Sequence, residues 1–209
     1  ADLAETWPAR TTIAALEAPG YDWVPGMTVA AAAERAGRDP LEFAIDLLAL
    51  SRLEVTAVIA TPGERSVDEL ARVLAHPRHT VGRDGIYVGA HPHPRGWGSF
   101  ARMLARHVRD RRDLGIAEAI DHCSTTAAEV FRLGRRGRVL PGWVADLAVV
   151  DLPALIDRAD YSAPRSFAEG IDDVLVGGAP VLAAGRLVDA NLDAGRALRR
   201  APRGAGRTV

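Results

Sequence analysis

The chain has 209 residues, 48% of them hydrophobic and 25% charged, with a formal net charge of −1 at pH 7. That composition is ordinary for a soluble globular protein of one large domain, and the near-zero charge excludes general electrostatic attraction to nucleic acid or an anionic membrane. No apolar run reaches the roughly 18 residues of a membrane span, no signal-like start is visible, the single Cys123 allows no internal disulfide, and all 26 basic side chains are arginine.

Two consequences follow. One cysteine fits a reducing, cytoplasmic location. A chain without lysine cannot itself form a Schiff base, a P-loop or a carbamylated-lysine metal bridge.

In chain order, Thr28 is placed to cap an alanine-rich helix that stops at Gly37. Asp39, Pro40 and Glu42 form the next helix start, an N-cap with proline at the first turn and a capping-box partner. Leu41, Ala44, Ile45 and Leu48 recur at i, i+3, i+4 and i+7, which predicts one apolar face turned to the core. The run "LEVTAVIA", Leu53 to Ala60, is short, β-branched and apolar towards its end, like a parallel-type strand covered on both faces. Thr61, Pro62 and Gly63 break it. Ser66 and Glu69 make another capping box for a helix that Pro77 ends, and a very short strand around Thr80 to Gly82 delivers the chain to Asp84.

Phe100, Met103, Leu104, His107 and Val108 share a later helical stripe, where His107 reads as a core-edge residue. "IAEAIDHC" and "TAAEVFRL" predict two more helices, the second capped by Thr126 and Glu129 and closed by Gly134; His122 and Cys123 in and beside them read as structural. From Arg136 the rhythm turns to strands. "GRVLPGWVADLAVVDL" is two extended pieces around a Pro-Gly turn, and "IDDVLVGGAPVLAAGRLV" is a hairpin about Gly177-Gly178, with Pro180 marking an edge or bulged strand. "PALIDRADYSAPRSFAEG" between them reads as a long irregular connection, and the arginine-rich C-terminus as a solvated tail.

The fold class is therefore α/β, with βα units first and a small antiparallel β region last. Two parallel-type strands do not make a stable sheet, and the four or five tail strands leave edges open. Both parts read as unfinished.

Chemistry concentrates in "VGRDGIYVGAHPHPRGWGSF", Val81 to Phe100, where five glycines and two prolines surround Asp84, His91, His93 and Arg95. A carboxylate at a strand exit in an α/β fold faces the ligand crevice and can hold a metal or move a proton, although Asp-Gly is also a common turn. His91-x-His93 has a spacing that binds zinc on a strand, but Pro92 and Pro94 exclude a strand here, and loop-structuring roles are favoured. Arg95 offers a planar fork for a carboxylate, or equally a salt bridge within the fold.

The order "VGRDG … HPRGWGSFARML" resembles the strand-loop-helix near the end of the barrel in N-acyl-D-amino-acid deacylases (D-aminoacylases) of the amidohydrolase superfamily. Their pattern is Gly-Ser-Asp-Gly followed, at the same distance, by His-Pro-Arg-x-Tyr-Gly-Thr-Phe. "TTAAEVFRLGRRGRVLPGWVADLAVVD" is similar to the family's closing run, "EGIDDVLVGGAPVLAAGRL" to its last hairpin, and "RDPLEFAIDLL" and "AHPRHTVGRDG" also fit. Nearly the whole chain is covered.

The resemblance implies the C-terminal portion of a (β/α)8 metal-dependent hydrolase barrel followed by part of a small β-sandwich. Residues 1–134 would be the last βα units, 135–198 the sandwich strands and 199–209 a flexible basic tail. Asp84 matches the family's catalytic aspartate, a metal ligand beside the zinc that takes a proton from the attacking water and passes it to the leaving amine. Arg95 matches the arginine expected to hold the substrate α-carboxylate.

Departures accompany the match. Arg83 stands where the family has serine, next to Asp84, and Trp97 and Ser99 replace tyrosine and threonine. The family's metal-binding histidines and cysteine lie N-terminal to the matched segment and have no counterpart here. The implied protein is thus the C-terminal half of a heteromer or a cleaved precursor, with zinc held mainly by a partner N-terminal half. Its substrate would be a small N-acyl-D-amino acid. A non-catalytic remnant or interaction module and a hydantoinase- or dihydroorotase-like cyclic amidohydrolase are the alternatives, the first favoured by Arg83.

Overall fold

The computed structural model describes residues 3–60 and 66–198; of residues 3–5 it describes the backbone alone. The strand-breaking Thr61, Pro62 and Gly63 and the basic tail 199–209 lie outside the described residues. The fold is mixed α/β and divides into two compact units that interleave in sequence. Among the described residues the first draws on 3–60, 83–98 and 158–167, the second on 66–82, 99–157 and 168–198.

In the first unit, helix α1 (Leu3–Arg10) leads into β1 (Thr11–Leu16), then come α2 (Val29–Ala36), α3 (Pro40–Leu50) and β2 (Val55–Ile59). The predicted caps form. Thr28 accepts a hydrogen bond from the Ala31 amide, Gly37 takes a left-handed conformation (φ 65°), and Asp39 accepts from the amides of Leu41 and Glu42. Such caps satisfy amides that a helix leaves unpaired, each stabilising by about 1 kcal/mol.

The packed face of α3 is not the predicted one. Phe43 is fully buried and Leu47 nearly so, while Leu41, Ile45 and Leu48 are 58%, 54% and 41% exposed. Both sides of this helix are apolar, so periodicity alone could not choose between them. Phe43 fills the core, edge-on to Tyr21 with ring centroids 6.0 Å apart, among Ile13, Val24, Val29 and Ala33.

β2 pairs antiparallel with β1, a strand the sequence did not signal, so the expectation of parallel strands is not met. Nor is β2 covered on both faces: Ile59 is 65% exposed. An apolar run suits either pairing, and only its partner decides which forms. The register shifts between Ile13 and Ala15, which makes Ala14 a bulge. A bulge bends its strand and re-aims the extra residue, and this one turns the Ala14 carbonyl to the amide of His91 at 3.3 Å.

The second unit holds α4 (Val67–Leu74), capped as predicted by Ser66, whose hydroxyl accepts from the Glu69 amide. Helix α5 (Arg95–Arg102) enters it and continues as a π-helical stretch, Met103–Asp110. Met103, His107 and Val108 of the predicted stripe are buried there. Residues 80–82 form no strand; the Val81 amide makes a single bond to the His122 carbonyl at 3.0 Å, with no ladder to extend it. Helix α6 (Ile116–Ile120), a π-helical stretch (Asp121–Thr125) and α7 (Thr126–Phe131) run without a break, so Thr126 caps nothing, and Arg132, not Gly134, takes the left-handed closing position at φ 55°.

Strands β3 (Leu147–Val150), β4 (Ile171–Val176), β5 (Ala179–Ala183) and β6 (Arg186–Leu187) form an antiparallel sheet in that order. The hairpin turns on Gly177 and Gly178 at φ 58° and 89°, which two glycines adopt without strain. Pro180 sits beside the register shift of β5, as its missing donor requires. The first half of "GRVLPGWVADLAVVDL" forms no strand. No helix among the described residues is long and apolar enough to cross a membrane.

Candidate active site

The glycine-rich loop is set on the bulge of β1. Gly89 has φ +76°, and a Cβ there would stand 2.6 Å from the Ala14 carbonyl oxygen, so only glycine lets the chains approach. Two residues on, the His91 ring lies over Gly26, where a Cβ would be 2.8 Å from Nε2. His93 accepts a hydrogen bond from the Arg95 amide at Nδ1 (3.1 Å), which fixes the neutral tautomer and leaves Nε2 to donate to the Tyr161 hydroxyl at 3.2 Å. Each histidine thus braces the loop. Among the described residues no group of three or more His, Cys, Asp or Glu side chains could hold a metal ion.

Asp84 and Arg95, far apart along the loop, meet. Arg95 Nε lies 3.1 Å from Asp84 Oδ1; the Asp84 side chain is 81% exposed and that of Arg95 38%. Arg83 does not turn to its neighbour Asp84. Its Nη1 donates to the Tyr87 hydroxyl and to the Gly96 carbonyl, and its guanidinium carbon lies 5.4 Å from the Tyr87 ring centroid. Gly85 and Gly96 make room: a Cβ on Gly85 would be 2.7 Å from the Tyr87 oxygen, and one on Gly96 3.2 Å from the Tyr87 ring.

Arg95 also lines a cavity of about 450 Å³ whose apolar wall is Val58, Ile86 and Val88 and whose polar groups include His93 and Tyr161. That size suits a small organic molecule. A cavity lined by both aliphatic side chains and a guanidinium can seat a ligand with a hydrocarbon part and a carboxylate, and a solvent-reachable carboxylate beside that guanidinium can take and return a proton. Sequence reasoning missed Tyr87, Tyr161 and Arg165. The last two lie in the connection read as irregular, and no local motif signals them.

The second unit contains titratable groups of a different kind. His107 Nδ1 is 2.7 Å from Asp113 Oδ2, which also accepts from Arg111 Nε at 2.8 Å, the core-edge role expected of this histidine. The Arg111 hydrogen bond, then that of His107, holds the Asp113 carboxyl below its usual range. His79 and His122 meet edge to face at 5.6 Å, and burial, followed by the charges His122 and His76 would carry, lowers the His79 pKa. Burial pushes the Cys123 thiol up to about 11.

The sequence profile of the amidohydrolase family matches residues 12–182. N-acyl-D-glutamate deacylase of Alcaligenes xylosoxydans xylosoxydans is 42% identical over 114 residues, 54% of this chain and 23% of that protein. N-acyl-D-aspartate deacylase of the same organism is 35% identical over 153 residues, 71% of this chain and 30% of that protein. The crystal structure of N-acyl-D-glutamate deacylase from Bordetella bronchiseptica, complexed with zinc and a phosphonate mimic of the tetrahedral intermediate, matches 88% of this chain and 37% of that one, with a TM-score of 0.72 and 34% identity. The chain therefore spans between about a quarter and two fifths of the length of these relatives.

Proposed function

Because this chain belongs to the amidohydrolase family, we propose that it is the C-terminal part of a zinc-dependent hydrolase of N-acyl-D-amino acids. In this reading it is active only with an N-terminal half that supplies the main metal ligands. Residues 1–134 contribute the last βα units of a barrel, residues 135–198 part of a β-sandwich and residues 199–209 a tail; the cytoplasm is its place of action. The carrying observation is the 3.1 Å contact between Asp84 and Arg95, with Arg95 also lining the cavity. It joins a proton-transfer group to a carboxylate-binding group at one place. Exposed Ile59, Ile86 and Val88 add support, as apolar surface on the same unit that a further segment would cover.

Asp84 takes a proton from water as the water oxygen attacks the acyl carbon. It returns that proton to the amine nitrogen as the C–N bond breaks, leaving a carboxylate and a D-amino acid. Arg95 leaves Asp84 for the substrate α-carboxylate and fixes the amide against the attacking water. Zinc, when bound, supplies a Lewis acid that lowers the pKa of water to about 7. Such an ion needs three or four protein ligands, and in the described residues Asp84 stands without the others.

Mixing this chain with a polypeptide that carries the missing ligands should give zinc-dependent release of D-amino acids from N-acyl-D-amino acids. An inert but stably assembled pair would turn the reading to a non-catalytic module, and opening of hydantoins instead would turn it to the cyclic amidohydrolases.

A further inference from the structure

The cavity that Arg95 lines also runs along a bare strand edge. Thr56, Ala57, Val58, Ile59 and Ala60, successive residues of β2 and its end, all line it. Successive side chains of a strand point to opposite faces, so a cavity that meets every one of them lies along the backbone edge between those faces. β1 flanks β2 on one side, and among the described residues β2 has no second neighbour.

The register fixes which groups point to that free edge. Ile13, opposite Ala57 in the ladder, donates its amide to the Met27 carbonyl and accepts from the Gly26 amide, both away from β2. Directly opposed residues of an antiparallel pair either exchange bonds or both turn away, so Ala57 turns its N–H and C=O from β1 to the free edge. Ile59, two residues on, does the same, while Ala60 bonds the Arg10 carbonyl on the β1 side at 2.9 Å. Outside the ladder no hydrogen bond among the described residues engages the backbone of Ala57 or Ile59.

An unpaired edge of this kind is a template for an added strand. Arg95, His93 and Tyr161 line the same cavity, so a peptide laid along β2 reaches a guanidinium suited to its terminal carboxylate. A strand of the partner half seated there would fill the space beside Arg95 that a substrate needs. Cover over the Ile59 side chain does not compete, because side chains stand off the sheet face and the hydrogen-bonding groups lie in its plane. At about 450 Å³ the cavity is in the range of sites for drug-sized ligands, which a short peptide fills better than an acetylated amino acid.

We propose that the free edge of β2, through Ala57 and Ile59, binds the acyl side of the substrate as an added strand, and that the preferred substrates are short peptides with a C-terminal D-residue. This rests on the reading of the chain as part of an N-acyl-D-amino-acid hydrolase. The chemistry is unchanged: the water oxygen adds to the carbonyl carbon before the D-residue, the C–N bond breaks, and the proton taken by Asp84 goes to the leaving nitrogen.

The test compares N-acetyl-D-leucine with N-acetyl-L-alanyl-L-alanyl-D-leucine, which share the end assigned to Arg95 and differ in the added peptide units. Amide NMR spectra of the chain are titrated with each, following residues 55–60. The peptide should bind about tenfold more tightly, the order expected of one or two added backbone hydrogen bonds, and should shift the Ala57 and Ile59 amides downfield. N-methylation of both alanine nitrogens should abolish the advantage. Ala57→Pro removes one donor where an edge strand tolerates proline and should reduce the advantage; the N-methylated peptide on the parent chain serves equally if that variant does not fold. Equal binding of the two compounds, binding of neither, or an advantage that survives N-methylation overturns the proposal. Slow exchange of the Ala57 and Ile59 amides in the assembled protein before peptide is added also overturns it and gives the edge to the partner half. Turnover by the assembled protein tells the two readings apart. Hydrolysis of N-acetyl-D-leucine with no preference for the peptide sinks the proposal alone, and peptide binding without hydrolysis sinks the enzymatic reading alone.

Discussion

Arg95 and Asp84 hold each other at 3.1 Å while most of the aspartate side chain faces solvent. An exposed ion pair of this kind contributes roughly 0–1 kcal/mol to stability, so Asp84 can be changed without unfolding the chain. Asp84→Asn should melt within about 1 kcal/mol of the parent. A loss of several kcal/mol in chemical denaturation would assign Asp84 a structural role that the geometry does not support.

Arg95→Lys keeps the charge and loses the planar fork. On the assembled protein it should raise KM for an N-acyl-D-amino acid about tenfold or more, with a smaller fall in kcat, because the lost bonds hold the substrate before reaction. A kcat loss with KM unchanged would place Arg95 at the reacting bond instead of the α-carboxylate.

The loop carrying both residues depends on Gly89. Alanine there must adopt φ +76° and meet the Ala14 carbonyl. The left-handed conformation alone costs a non-glycine residue roughly 1–2 kcal/mol, and displacement of the loop adds to it. Gly89→Ala should therefore lower stability by about 2 kcal/mol or more and broaden the His91 and Arg95 amide resonances. Unchanged melting would mean that the loop does not rest on the β1 bulge.

Cys123, with its thiol pushed up to about 11 by burial, is a poor nucleophile at neutral pH. Iodoacetamide at pH 8 should modify the folded chain far more slowly than the urea-unfolded one. Equal rates would show that the helical segment around Cys123 opens readily.

The second unit should lose stability in acid through two groups. The His79 pKa is lowered from its ordinary 6.5 in the fold, so below 6.5 the unfolded chain binds the proton more readily; this contribution is complete above that value and is lost as pH falls through the lowered one. Asp113, held below its ordinary 3.8, behaves likewise at lower pH: its contribution is present above 3.8 and lost as pH falls beneath. Proton NMR titration should show the His79 ring changing charge below pH 6.5, and His79→Asn should flatten stability in that window. A His79 ring that titrates above 6.5 would reverse the sign.

Local chemistry was legible in the sequence wherever one residue decided it. Thr28, Asp39 and Ser66 cap the helices they were expected to cap, and Gly177-Gly178 turns the hairpin. What failed depended on distant partners. β1 was not found because "TTIAAL" is short and becomes a strand by pairing with β2. The packed side of α3 was settled by Tyr21 against Phe43, and among the described residues the strand expected near Thr80 has no neighbouring strand to pair with. In the site, motif order brought out Asp84 and Arg95, whereas the partners of Arg83, the Tyr87 hydroxyl and the Gly96 carbonyl, are set by the fold of the loop and carry no local signal.

The most direct test of the account measures turnover and zinc content together in Asp84→Asn, with this chain assembled on a polypeptide supplying the other metal ligands. If Asp84 moves the proton while the other half holds most of the metal, hydrolysis of an N-acyl-D-amino acid should fall by about 10²–10⁴-fold, the usual weight of a general acid-base group, while most of the zinc stays bound. Hydrolysis within a few-fold of the parent would contradict it.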